Sequence, residues 1–147
     1  MSYQHILDLC HQMSGWDPRY SMSQSAVTAQ EIALAQSDLG FTLCDEYIEL
    51  LSKLGYLEVG DNNFIGLKHG TGRREDDNDF VGATWNFEKN HLSISEMTVF
   101  MNESDEWFHL IDHARSEVVF YDPFSKEIIR SGKGIIDYLT QYITDRL

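Results

Sequence analysis

Residues 28–67, TAQEIALAQSDLGFTLCDEYIELLSKLGYLEVGDNNFIGL, carry the punctuation of a helix, a short link, a second helix and a strand hairpin. Thr28 with Glu31 three positions on is a capping box: the hydroxyl can accept from the Glu31 amide while the carboxylate reaches back to the amide of Thr28. Ile32, Ala35 and Leu39 recur at helical spacing, and Gly40 supplies a residue that tolerates a left-handed C-terminal turn, so a helix is expected over Thr28 to Leu39. Asp45 and Glu46 then suit the positive end of a helix dipole and Lys53 the negative end. Tyr47, Ile48, Leu50, Leu51 and Leu54 form an apolar stripe between them, predicting a helix over Asp45 to Leu54. Tyr56 to Val59, a turn at Gly60-Asp61-Asn62, and Phe64 to Leu67 read as the hairpin.

Working outward, Ile6, Leu7, Cys10 and Met13 predict a leading helix ending near Gly15, and the polar Trp16 to Ser25 reads as a loop, so residues 1–27 form a leading helix and loop. Lys68 to Asp79 contains no apolar residue and reads as a long exposed loop. Phe80 to Phe87 fits either a short strand or a helical turn. From Met97 the period becomes two: Met97, Val99 and Met101 alternate with Thr98 and Phe100, and Trp107 to Asp112, Val118 to Asp122 and Glu127 to Arg130 read as further strands. Short polar turns between them make an antiparallel meander the economical topology. Ile135, Tyr138, Leu139, Tyr142 and Ile143 predict a closing amphipathic helix after Lys133. The fold expected over residues 1–147 is one α+β domain, a mainly antiparallel sheet flanked by amino-terminal helices and a carboxy-terminal helix.

The 147 residues are the size of one domain, and 42% apolar content supports one core. Twenty-four acidic against 11 basic side chains give a formal net charge of -13. Such a surface repels phosphate backbones and anionic lipid, which disfavours direct nucleic-acid or membrane binding and favours a basic protein partner. Two cysteines, no basic-then-apolar leader and no membrane-length apolar run fit a cytoplasmic chain with free thiols.

Several motifs hint at chemistry. His109 and His113 are four apart, a zinc pair on a helix, but four strand residues span roughly 13 Å, too far for one ion. Asp61-Asn62-Asn63 resembles the start of a calcium loop, yet Ile65 stands at a ligand position and no glutamate closes it. Gly70-Thr71-Gly72-Arg73-Arg74 lacks the ending of a phosphate loop and adjoins carboxylates. Cys44 at a helix start would be a nucleophile only with a lowered pKa and a base; burial as a packing residue is the simpler reading. No metal, cofactor or catalytic residue is therefore assigned, and an enzyme is disfavoured. The acidic runs Glu75, Asp76, Asp77, Asp79 and Glu103, Asp105, Glu106 read either as solvated turns or, with Trp85 and Trp107 nearby, as a protein-binding surface in which aromatic anchors carry a charged rim. Both tryptophans fit a core position equally well.

Leu39-Gly40, Leu43-Cys44, Glu46-Tyr47 and Ile65-Gly66-Leu67 resemble the landmarks of the Smi1/Knr4 (SUKH) superfamily: a helix ending in Leu-Gly, a Leu-Pro step, an Asp-Tyr helix and a strand pair ending in Ile-Gly-Leu. Cys44 replaces the usual proline and Glu46 the usual aspartate. Thr84, Tyr121-Asp122 and the closing helix extend the resemblance over Thr28 to Leu147. It implies a non-enzymatic protein-binding module without cofactor, of the bacterial type that neutralises a cognate basic toxin, often a nuclease, through an acidic surface. The alternative it leaves open is an intracellular regulatory adaptor; an enzyme of unrecognised type comes third. The toxin, the interface and the oligomeric state are not legible in these residues.

Overall fold

The computed structural model describes residues 2–67, 79–103 and 107–147. Along them run α1 (Tyr3–His11), α2 (Pro18–Ser21), α3 (Ala29–Leu39), α4 (Asp45–Lys53), β1 (Leu57–Val59), β2 (Asn62–Phe64), α5 (Phe80–Asn90), β3 (Met97–Glu103), β4 (Trp107–Asp112), β5 (Glu117–Asp122), β6 (Glu127–Arg130) and α6 (Ile135–Thr144). β3, β4, β5 and β6 form an antiparallel meander in chain order, and β1 pairs with β2 in a separate hairpin. This is the expected α+β domain.

The capping box forms as its chemistry requires: Glu31 donates its N–H to Thr28 Oγ1 at 3.1 Å and Thr28 donates to the Glu31 carboxylate at 3.1 Å. Helix α3 turns Ile32 and Ala35 inward; α4 buries Tyr47, Leu50 and Leu51. Tyr47 is the hub of this layer. Its ring meets Phe80 and Phe100 edge-on, and its hydroxyl donates to the Ile65 carbonyl at 2.8 Å, tying α4 to the chain leaving the hairpin. Each such fully buried side chain contributes about 2 kcal/mol from apolar burial, and the buried hydroxyl is satisfied.

The sheet is covered on both faces. Tyr121 packs on Phe87 of α5, while Phe120, its neighbour on β5, packs on Tyr138 of α6; successive strand residues point to opposite faces. Thr84 stitches α5 to β3, donating to the Phe80 carbonyl and accepting from the Val99 amide at 3.0 Å.

Two expectations are corrected and one open reading is decided. Trp16 to Ser25 is more than a loop: Asp17 caps the short α2 by accepting from Arg19, and Trp16 donates its indole N–H to the Glu58 carbonyl at 2.9 Å, pinning the leading segment to the hairpin. Phe80 to Asn90 is a full helix, three turns long, because Asp79 caps it by accepting from the Val81 and Gly82 amides. The strict alternation from Met97 breaks at a register shift between Val99 and Met101, so that Phe100 has no partner on β4 and its carbonyl accepts instead from Ile65 at 2.7 Å.

Gly66 explains the Ile-Gly-Leu landmark. A Cβ there would lie 1.8 Å from the carbonyl oxygen of Gly55, because Leu67 donates to that carbonyl at 2.8 Å and draws the two backbones together. No side chain fits at that crossing.

Candidate functional site

Charge is unevenly spread. Along residues 2–67 nine carboxylates accompany only two basic side chains, Arg19 and Lys53. Arg19 pairs with Asp17 at 2.8 Å and Lys53 with Glu49 at 2.9 Å, so both cations are taken by neighbours. Asp8, Asp38, Asp45 and Asp61 are exposed on or beside α1, α3, α4 and the hairpin. These amino-terminal elements thus carry a net negative charge with exposed carboxylates, which attracts a basic partner at long range.

Of the sequence-derived candidates, Glu75, Asp76, Asp77, Asp105 and Glu106 lie outside the described residues, as does the Gly70–Arg74 run. Glu103 is described by its backbone, as the last residue of β3, opposite Trp107. Asp79 is corrected: it is 2% exposed and caps α5, so its carboxylate is committed to backbone amides and leaves the contact set. Trp85 stands 45% exposed on α5. Trp107 is half-buried at the start of β4.

The histidines that suggested zinc are occupied otherwise. His113 is buried and accepts the Cys44 N–H on Nδ1 at 3.0 Å; the neutral ring then carries its proton on Nε2 and donates it to Thr98 at 2.8 Å. Burial lowers its pKa to about 4, so the ring stays neutral near pH 7 and ties α4 to β3. His109 is buried against Phe120 and shares a hydrogen bond with Tyr138 of α6. Burial raises the Cys44 thiol and pushes the Cys10 thiol up to about 12. That is the direction opposite to an activated nucleophile.

Two carboxylates missed by sequence reasoning serve as fasteners. Glu46 accepts from the Ile135 amide at 2.9 Å, capping α6 from a different helix; its extra methylene over aspartate lengthens that reach, which gives the departure from the family pattern a physical role. Asp112, 2% exposed, accepts from Arg115 and from Arg130 of β6, each at 3.1 Å. Burial opposes its ionisation, yet these guanidinium groups hold its pKa below the usual carboxylate range.

The family model SUKH_5, described as SMI1-KNR4 cell-wall, matches residues 6–145. The chain belongs to the SUKH family. Membership points to an immunity-type or Smi1/Knr4-like protein-binding module, in a family of generally non-catalytic immunity and adaptor proteins. No curated protein sequence matches the chain. The SUKH landmarks are packing devices here: Tyr47 reaches Ile65, Gly66 lets two backbones cross, Thr84 joins α5 to β3, and Asp122 closes the β5–β6 turn by accepting from Phe124 and Ser125. Among the described residues no helix is long and apolar enough to cross a membrane.

Proposed function

We propose that this SUKH domain is a cytoplasmic immunity protein that binds a cognate basic toxin and occludes its active cleft. The observation that carries the reading is the charge imbalance over residues 2–67, nine carboxylates against two locally paired cations, on a member of a protein-binding family. Carboxylates on such a surface occupy the sites that a basic nuclease cleft offers to phosphates, and they raise the encounter rate. Glu75, Asp76, Asp77, Glu103, Asp105 and Glu106 are the further candidate contacts, with the exposed Trp85 and the half-buried Trp107 as candidate anchors.

The test is co-expression with a basic toxin candidate encoded beside this gene. Expected are restored growth and a stable complex whose association, followed by stopped flow, slows about tenfold when the Glu75–Asp77 and Glu103–Glu106 carboxylates are neutralised, with a flatter salt dependence. Trp85→Ala should leave association unchanged and speed dissociation. Absence of both protection and complex overturns the immunity reading. Protection with unchanged association rate and salt dependence overturns the rim residues alone.

A further inference from the structure

Residues 115–147 hold five basic and five acidic side chains, so the formal charge of -13 falls entirely on the rest of the chain. This neutral part includes β5, β6 and α6, and no strand among the described residues pairs beyond β6. Two copies of a strongly acidic chain repel where their charged parts meet, so a neutral surface is where self-contact costs least. The same surface is apolar: Ile128 and Ile129 of β6 are 38% and 43% exposed, and Phe124 in the turn before it is 83% exposed. A charged partner gains no steering from an edge whose charges balance.

Ser131 donates its backbone N–H to Val118 of β5. Backbone groups along an antiparallel strand alternate in direction, so Ile129 also faces β5 while the N–H and C=O of Ile128 and Arg130 point away from the sheet. A two-fold axis through Ile129 sets Ile128 of each copy opposite Arg130 of the other, where each pair exchanges two backbone hydrogen bonds. Ile129 then meets its own counterpart in a non-hydrogen-bonded pair, with Cα atoms about 4.5 Å apart. Phe120 stands opposite Ile129 and shares its face of the sheet, so an apolar row runs from Phe120 through both isoleucines to the second Phe120. Glu127 comes opposite Ser131 and diagonal to Lys133 of the other copy, twice by symmetry. Lys126 falls diagonal to Arg130, whose guanidinium is already held by Asp112 and Glu117.

Other registers fit less well. An axis through Ile128 sets Ile129 against Glu127 and Lys126 directly against Arg130. An axis through Arg130 also brings Glu127 to Lys133, but it sets two guanidinium groups together and leaves the isoleucines opposite Ser131 and Gly132.

We propose that two copies of this chain pair through β6, antiparallel and two-fold about Ile129, joining their four-stranded sheets into one continuous sheet. The contact uses none of the carboxylates of residues 2–67, so it stands whether or not the immunity reading holds.

Sedimentation of the full chain should show a reversible monomer–dimer equilibrium, the small contact placing its midpoint at about 10 to 100 µM. Ile128→Pro removes only an outward donor, and Glu127→Lys brings like charges together; each should weaken the dimer about tenfold. Lys133→Glu added to Glu127→Lys should restore it. Under oxidised glutathione, Ile129→Cys should form an inter-chain disulfide about tenfold faster than Ile128→Cys, because only position 129 faces itself at disulfide distance. The native Cys10 and Cys44 are buried and do not compete. A chain that stays monomeric up to about 500 µM, beyond the range of a weak specific contact, overturns the proposal. So does a dimer indifferent to Ile128→Pro and Glu127→Lys, or faster cross-linking through Ile128→Cys. A monomer whose β6 amides shift in NMR when an alternating valine–threonine octapeptide is added also overturns it, by giving the edge to a foreign strand.

Discussion

The sheet has two edges, and the chain treats them in opposite ways. At β3 the register shift frees the Phe100 carbonyl, Ile65 donates to it, and the hairpin behind Ile65 closes that side. Phe64, Ile65 and Phe100 are all buried there, and the crossing at Gly55 and Gly66 leaves no room for a methyl group. At β6 no strand among the described residues pairs beyond it, its side chains are exposed, and Arg130 fastens it outside the ladder through ion pairs to Asp112 and Glu117. The closed edge invests in stability. The open edge leaves backbone groups and apolar side chains free for use elsewhere, a state that folded proteins otherwise blunt.

If that contrast is sound, substitutions should be costly on the closed side and cheap on the open one. The largest effect is expected for Gly66→Ala, because the added Cβ meets a carbonyl oxygen at 1.8 Å and backbone must move; a loss of about 4 kcal/mol, the range of severe core strain, should appear in urea denaturation. A loss below about 1 kcal/mol would break the comparison.

His113 comes next. Its folded pKa of about 4 lies below the ordinary 6.5, so the unfolded chain binds the extra proton first as pH falls. The contribution is whole above pH 6.5 and is lost progressively down to pH 4, about 3 kcal/mol in all. Denaturant melts across that window should show the loss, and His113→Gln should flatten it.

Asp112→Asn should cost about 1 to 2 kcal/mol: the carboxylate is buried, but both arginines are partly exposed and screened. It would also sharpen the contrast if hydrogen exchange rose at β6 before β4. Phe124→Ser and Ile128→Thr should change stability by no more than about 0.5 kcal/mol. A thermal melt that falls by ten degrees for either would show that the β6 edge is structural.

Much of this was legible one residue at a time. The capping box at Thr28 and Glu31, the stripe of α4, the period-two run of the meander and the apolar face of α6 are local patterns, and local sterics and hydrogen bonding act within a few residues of each other. Asp79 escapes the same local logic: in a run of carboxylates it looks solvated, and only the helix after it shows that its carboxylate faces amides. Trp85 and Trp107 are ambiguous in sequence because an aromatic side chain suits a core and an interface equally; in the fold Trp85 is exposed and Trp107 half-buried. The sequence by itself determined the order of elements apart from α2 and α5, the total charge and the family landmarks. The tertiary structure alone decided that Glu46 caps a helix 89 residues away, that His113 joins α4 to β3, and that one sheet edge is closed and the other open. Those outcomes depend on which distant backbones approach within hydrogen-bonding range, and no window of consecutive residues holds that distance.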